Sequence, residues 1–188
     1  MNKFIPRHGG YKTLLSYQKS EIIFDATMYF TARFYRKGDR TIDQMVQAAR
    51  SGKQNIAEAS MASGTSKDME LRLTNVARAS LEELLIDYLD FLRSRNLKIW
   101  HKDHPYTERL RFLNRNMPSI YETFQKGIES ENPEICANVI IGLIKVTTYL
   151  LYRQIERLET DFLEEGGIRE RMTQARLAAR SKQKRQGQ

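Results

Sequence analysis

Pro133 opens a stretch with few ways to fold. From Ile135 to Tyr152 the chain is apolar almost throughout, and only Asn138, Lys145 and the Thr147–Thr148 pair interrupt it. At 100° per residue these side chains surround a helix rather than forming one stripe. Such a helix is stable in water only when it is enclosed. It is either the central helix of a bundle or part of a subunit interface. Its most apolar section, Ala137–Leu151, is broken by Lys145 and falls short of the roughly 20 residues that a membrane span needs. A buried helix is expected, with no membrane partner.

The remaining pattern is also helical. Only four prolines and ten glycines occur, and Leu, Ala, Glu, Arg and Lys are abundant. The expected fold is all-α: an antiparallel four-helix bundle of Tyr11–Arg36, Thr41–Met61, Ser66–Arg95 and Pro133–Phe162, with a helical insert before the fourth helix and a basic C-terminal helix. Residues 1–10 read as an exposed lead, 11–165 as the bundle with its insert at 97–132, and 166–188 as a basic helical suffix and tail. Gly38 should end the first helix, Asp39 or Thr41 should cap the second, and Ser66 the third. Pro105 and Pro118 should start two short helices in the insert. Gly166-Gly167 should end the fourth helix, Ile168–Arg180 should be helical, and Ser181–Gln188 a frayed tail.

In the first helix Leu15, Ile22, Ala26 and Tyr29 lie on one side, with Tyr17, Phe24, Met28 and Tyr35 nearly opposite. Two apolar sides imply burial on two sides, by other segments of this chain or by another subunit. In the third, Leu73, Ala77, Ser80, Leu84, Tyr88 and Phe91 form the inner stripe. The second helix places Ile42, Met45, Ala49, Gly52 and Ile56 on one face, and Asp43, Gln47, Arg50, Gln54 and Glu58 opposite. This amide-rich face suits either a solvated surface or a polar network. The network reading has Arg50, Glu58 and Asn55 making fixed contacts to the third helix through Glu83 or Arg78.

Gln47–Arg50, Asn55-Ile56-Ala57-Glu58 and Val76-Ala77-Arg78-Ala79-Ser80-Leu81-Glu82-Glu83-Leu84, with Tyr11-Lys12-x-Leu14-x-x-Tyr17-Gln18 upstream, carry a resemblance. The chain resembles the four-helix-bundle proteins encoded in intervening sequences of bacterial 23S rRNA genes, and their relatives, the accessory variability determinants of diversity-generating retroelements. Leu158–Arg180, with Asp161-Phe162-Leu163-Glu164-Glu165-Gly166-Gly167, is similar to a variant carrying a C-terminal suffix. The resemblance implies a four-helix bundle, a ring-like homopentamer, and a role beside a reverse transcriptase and its RNA. The insert departs from the shorter family core.

Net charge is +8, and its placement is uneven. Arg169–Gln188 holds seven basic residues and one acid. Arg33–Lys53 and Arg93–Lys126 are also basic, while Gly127–Ile168 is acidic. Arg169, Arg171, Arg176, Arg180, Lys182, Lys184 and Arg185 are the candidate nucleic-acid contacts, acting on phosphates. No catalytic constellation accompanies them. His8, His101 and His104 fall in loops, and His101 and His104 with Asp103 lack an evident third ligand for a metal. Glu82, Glu83, Asp87 and Asp90 read as the outer edge of the third helix. There is no Gly-rich phosphate loop. Cys136, the single cysteine, reads as a core residue of a protein in a reducing, cytoplasmic compartment. The expected function is a non-enzymatic, oligomeric RNA-binding accessory protein without cofactor or metal. The alternative is a protein–protein interaction scaffold.

Overall fold

The structure is a computed structural model that describes residues 9–166 and 168–186. A 3-10 turn, Tyr11–Thr13, leads into α1 (Leu15–Phe34), then α2 (Arg40–Ala62), α3 (Lys67–Ser94), α4 (Pro105–Asn116), α5 (Tyr121–Ile128), α6 (Pro133–Glu165) and α7 (Ile168–Gln186). No strand occurs among the described residues, and the fold is all-α as expected. α2 packs on α3, α3 on α6, α6 on α1, and α1 closes back on α2. Gly9 N donates to Ser60 O, and farther along the pair Lys53 lies over the Phe24 ring, so α1 and α2 run in opposite senses.

The boundary signals act locally. Gly38 takes φ 91°, a left-handed conformation, between α1 and α2. The Asp39 carboxylate accepts from Thr41 N at 2.9 Å, Ser66 Oγ from Met69 N at 3.2 Å, and Asn132 Oδ1 from Glu134 N at 2.9 Å. Gly166, at φ 68°, ends α6 and donates its N–H to Phe162 O; Gly167 lies outside the described residues. Three boundary expectations change. Pro118 does not start α5, because Ile120 is extended and the helix begins only at Tyr121. The first helix does not begin at Tyr11, because Leu14 is extended and separates the 3-10 turn from α1. The tail is not frayed from Ser181, because α7 continues to Gln186. Its Ser-Lys-Gln-Lys-Arg-Gln run contains no Gly or Pro to stop a helix.

α6 is enclosed over its first half, to Thr148; beyond it, only Leu151 and Leu158 of its described residues are buried. It is long and apolar enough to cross a membrane by composition, yet most of its apolar window is buried within the chain, as in a core helix. Ile140, Leu143, Ile144 and Leu151 are fully buried. The insert supplies a wall for its first half. Leu110 of α4 sits where a Cβ on Gly142 would be, and Val139 packs against the bare Cα of Gly127 on α5. Cys136 Sγ donates to Ile128 O at 2.8 Å, and burial pushes its thiol up to about 12. It is an inert core thiol.

α1 buries one broad face rather than two. Ile23 and Phe30 are fully buried, and so are Lys19, Ser20 and Thr27, with Ser16 and Thr31 nearly so. Ile22, Ala26 and Tyr29 form one edge of that face. Tyr17, Phe24 and Tyr35, half-buried against the core, form the other; only Met28 of the expected second side is largely exposed. The buried hydroxyls bond backward within the helix: Ser20 Oγ to Tyr17 O, Thr27 Oγ1 to Ile23 O, and Thr31 Oγ1 to Thr27 O. Tyr88 OH of α3 donates to Thr27 Oγ1 at 3.1 Å, so no oxygen of this pair is stranded. α2 meets α3 at Gly52, where a Cβ would strike the Leu81 side chain.

Gly142→Ala should force Leu110 out of its seat and loosen the insert before the bundle. The expected loss is about 1–3 kcal/mol in a denaturant titration. Limited proteolysis should cut faster within 101–120 while residues 15–94 stay protected. Tyr88→Phe should cost about 1 kcal/mol, because Thr27 Oγ1 loses a buried donor.

Candidate nucleic-acid interface

The connector after α3 is bound to α6 by side chains. Asn138 Oδ1 accepts from Trp100 N at 2.8 Å, and its amide donates to Lys98 O and Glu134 O. Glu134 Oε2 accepts from Lys98 N at 2.9 Å. Thus anchored, Trp100 stacks on His104 with ring centroids 4.9 Å apart and planes 11° apart, and Tyr106 adds a tilted third ring at 5.1 Å from Trp100. His104 Nδ1 also accepts from Tyr106 N, which starts α4 at Pro105.

With Leu110 turned to α6, helical geometry puts Arg111, Phe112 and Arg115 on the outer face of α4, with Arg109 on its flank. All four are exposed, Phe112 to 59 %. Lys98, Lys102, Arg109, Arg111, Arg115 and Lys126 form no ion pair among the described residues. The three acids between residues 98 and 126 are Asp103, Glu108 and Glu122. Elsewhere on the body Arg33 pairs with Glu131 at 3.4 Å, Lys53 covers Phe24, and Arg95 lies 3.8 Å over the Phe91 ring. Arg36, Lys37 and Arg40 are exposed around the α1–α2 turn.

On α7, Arg176 and Arg180 are exposed one turn apart, which puts both on one side of the helix. Arg169, Arg171, Lys182, Lys184 and Arg185 lie in the same helix, and their side chains are outside the described residues. The aromatic–arginine alternation that sequence reasoning passed over is in the insert, at Tyr106-Thr-Glu-Arg109-Leu-Arg111-Phe112. Its signal is the interleaving of rings with arginines, which the denser basic run of the tail outweighs by charge alone.

The polar network expected on α2 is not assembled. Arg50, Glu58 and Glu83 are exposed, and Arg50 and Glu58 make no hydrogen bond or ion pair with α3 among the described residues. Asn55 bonds to Ser51 O within its own helix, and Arg78 bonds to Asn75. The reason is the width of the buried stripe. Met45, Ala48, Ala49, Gly52, Ile56 and Ala59 take the whole inner side, which turns Arg50 and Glu58 to water. The polar link to α3 is instead a hydroxyl pair, Ser51 with Ser80 at 2.9 Å.

The other titratable clusters are structural. His101 pairs with Asp103 at 3.2 Å while His104 stacks on Trp100, so the two histidines serve different partners. No group of three or more His, Cys, Asp or Glu suited to a metal occurs among the described residues. On α3 Asp90 pairs with Arg93 at 2.8 Å. Partial burial, then Glu83 and Asp90, raises the Asp87 carboxyl. Lys19 stands apart. It is fully buried, donates to Asn114 Oδ1 of α4 at 2.6 Å, and lies 5.5 Å from the Phe124 ring centre. No carboxylate pairs with it among the described residues, and burial pushes its ammonium down to about 8.

Compared with known proteins, the chain matches no family model, no curated protein and no solved structure.

Lys19→Met should behave as removal of an unpaired buried charge. The folded pKa lies below the unfolded value, so the unfolded chain holds more protons between about pH 8 and pH 10.5. Wild-type stability should therefore gain up to about 3 kcal/mol relative to Lys19→Met as pH rises through that window. Parallel stability curves for the two proteins would contradict it. Arg50→Ala should change stability by less than about 0.5 kcal/mol, as for an exposed side chain without partners.

Proposed function

We propose that this chain is a non-enzymatic, self-associating protein that binds single-stranded nucleic acid as an accessory to a larger apparatus. A retroelement reverse transcriptase acting on RNA is the partner that the resemblance suggests. The observation that carries the proposal is the outer face of α4. Arg111 and Arg115 are exposed, without ion pairs among the described residues, before and after exposed Phe112 in the sequence, on a helix anchored to the bundle core. Arginines can hold phosphates while an exposed ring stacks on a base, a combination that binds single strands with little sequence preference. The arginines of α7 add a second cationic segment. Self-association belongs to the same proposal: beyond Lys145, Tyr149 and Tyr152 of α6 are 61 % and 49 % exposed. Repeated copies would multiply a weak contact per chain.

The test is anisotropy of a labelled single-stranded RNA at several salt concentrations. If about four suffix cations engage phosphates, removing residues 167–188 should lower the log-affinity slope against log salt by about 3. Arg111→Ala/Arg115→Ala should lower it by about 1.4. Phe112→Ala should weaken binding by roughly 1–3 kcal/mol with the slope unchanged, as for a lost stacking partner. Light scattering should give a multiple of 22.0 kDa. Exposed Tyr149 and Tyr152 also suit a protein partner. If the intact chain binds no RNA at low salt, the scaffold reading replaces this one.

A further inference from the structure

The insert borders a half-open cavity that the outer face of α4 does not use. It lies between the connector, α4, α5 and α6, with a volume of about 520 Å³. Small-ligand sites occupy about 300–1,000 Å³ and are mostly apolar, with a few polar groups fixing orientation. Trp100 and Tyr106 line one side, and Phe124, which is buried, lines another. Gly127 contributes a wall without a side chain. Two cations border the space, Arg109 from the flank of α4 and Lys126 from α5. They come from different helices, and neither pairs with a carboxylate among the described residues.

These features select a ligand chemistry. Aromatic walls suit a flat ring, which stacks or packs edge-on against indole and phenol. Arg109 and Lys126 suit an anion attached to that ring, and the guanidinium can grip a phosphate through two donors. Thr123 Oγ1 donates to Pro118 O, and Ser130 Oγ accepts from Asn132 N, so each of these hydroxyls already has one partner. The cavity is dominated by aromatic and apolar walls and two cations. We infer that this cavity binds one nucleotide unit, its base against Trp100 and Tyr106 and its phosphate on Arg109 and Lys126. The unit is either a free mononucleotide or an unpaired nucleotide of a strand. The inference goes beyond the proposed α4 face, which contacts a strand from outside.

Trp100 is the only tryptophan in the chain, so its fluorescence reports on this cavity alone. The probes are AMP, adenosine and inorganic phosphate, added to the full-length protein. AMP should cause a saturable change, with adenosine and phosphate each at least about tenfold weaker because each supplies one of the two contacts. Arg109→Ala/Lys126→Ala changes only exposed side chains. It should weaken AMP at least about tenfold, leave adenosine unaffected, and leave the circular dichroism spectrum unchanged. An oligoadenylate of about ten residues separates the sources. Tighter binding than AMP, with AMP competing for Trp100, identifies a strand nucleotide. AMP binding without oligoadenylate binding identifies a free one, and would end the RNA reading while leaving the cavity its ligand. No saturable response to AMP or oligoadenylate would overturn the inference. So would an AMP affinity unchanged in the double variant. Oligoadenylate binding that leaves Trp100 unperturbed while AMP still saturates there identifies a free mononucleotide, with the strand held on the outer α4 face.

Discussion

The enclosure of α6 is the constraint on which the rest depends. An apolar helix of this length needs neighbours on every side, and α1 and α3 provide only two. The insert provides another, and it does so at two glycines. Gly142 admits Leu110 of α4, and Gly127 of α5 admits Val139. Both contacts bring backbone and side chain closer than any other residue type would allow. α4 and α5 are short helices with little core of their own, so their order derives from these seats and from the Asn138 bonds that hold the connector. A helix held by one buried leucine leaves most of its circumference to solvent, where arginines and aromatic rings carry little folding cost.

The second constraint is polar and lies inside the bundle. Thr27 is surrounded by apolar packing yet satisfied, because its hydroxyl donates to its own helix and accepts from Tyr88. Lys19 has only Asn114 as a hydrogen-bond partner among the described residues. A buried ammonium with one neutral acceptor is a weak contributor to stability, since desolvation opposes the bond it gains. Its bond nonetheless ties α4 directly to α1. Lys19 thus positions the insert at some cost to the bundle.

These two constraints explain what could be read from the sequence. The all-α class, the caps at Asp39 and Ser66, the Pro105 and Pro133 helix starts and the burial of Cys136 each follow from local or near-local patterns. α1 misled because periodicity scores apolar residues, and the centre of its buried face holds Ser16, Lys19, Ser20, Thr27 and Thr31. Hydroxyls that bond their own helix are indistinguishable in sequence from solvated ones, so one face with a polar centre looked like two apolar faces. The α2 network misled for the opposite reason. Amides and charges that could pair were given partners that only tertiary packing could supply, and the small-residue stripe turned them outward. The cavity was not legible at all, because Trp100, Arg109 and Lys126 come from three separate segments brought together by the seating of Leu110.

On the proposed reading, the two basic regions would contribute differently. The α4 arginines stand on a helix already fixed to the core, so less conformational entropy is left to lose when they engage a strand. The α7 segment carries more basic residues in sequence, a charge suited to attracting a polyanion from a distance and sensitive to screening. Attraction by charge alone is indifferent to which bases pass. Selection needs a surface that touches the base itself, and on this reading the insert offers two, Phe112 outside and Trp100 with Tyr106 within. On the proposed reading, the segment that completes the enclosure of α6 would also be the one that discriminates among ligands, and loss of its seating at Gly142 should blunt discrimination before it abolishes binding.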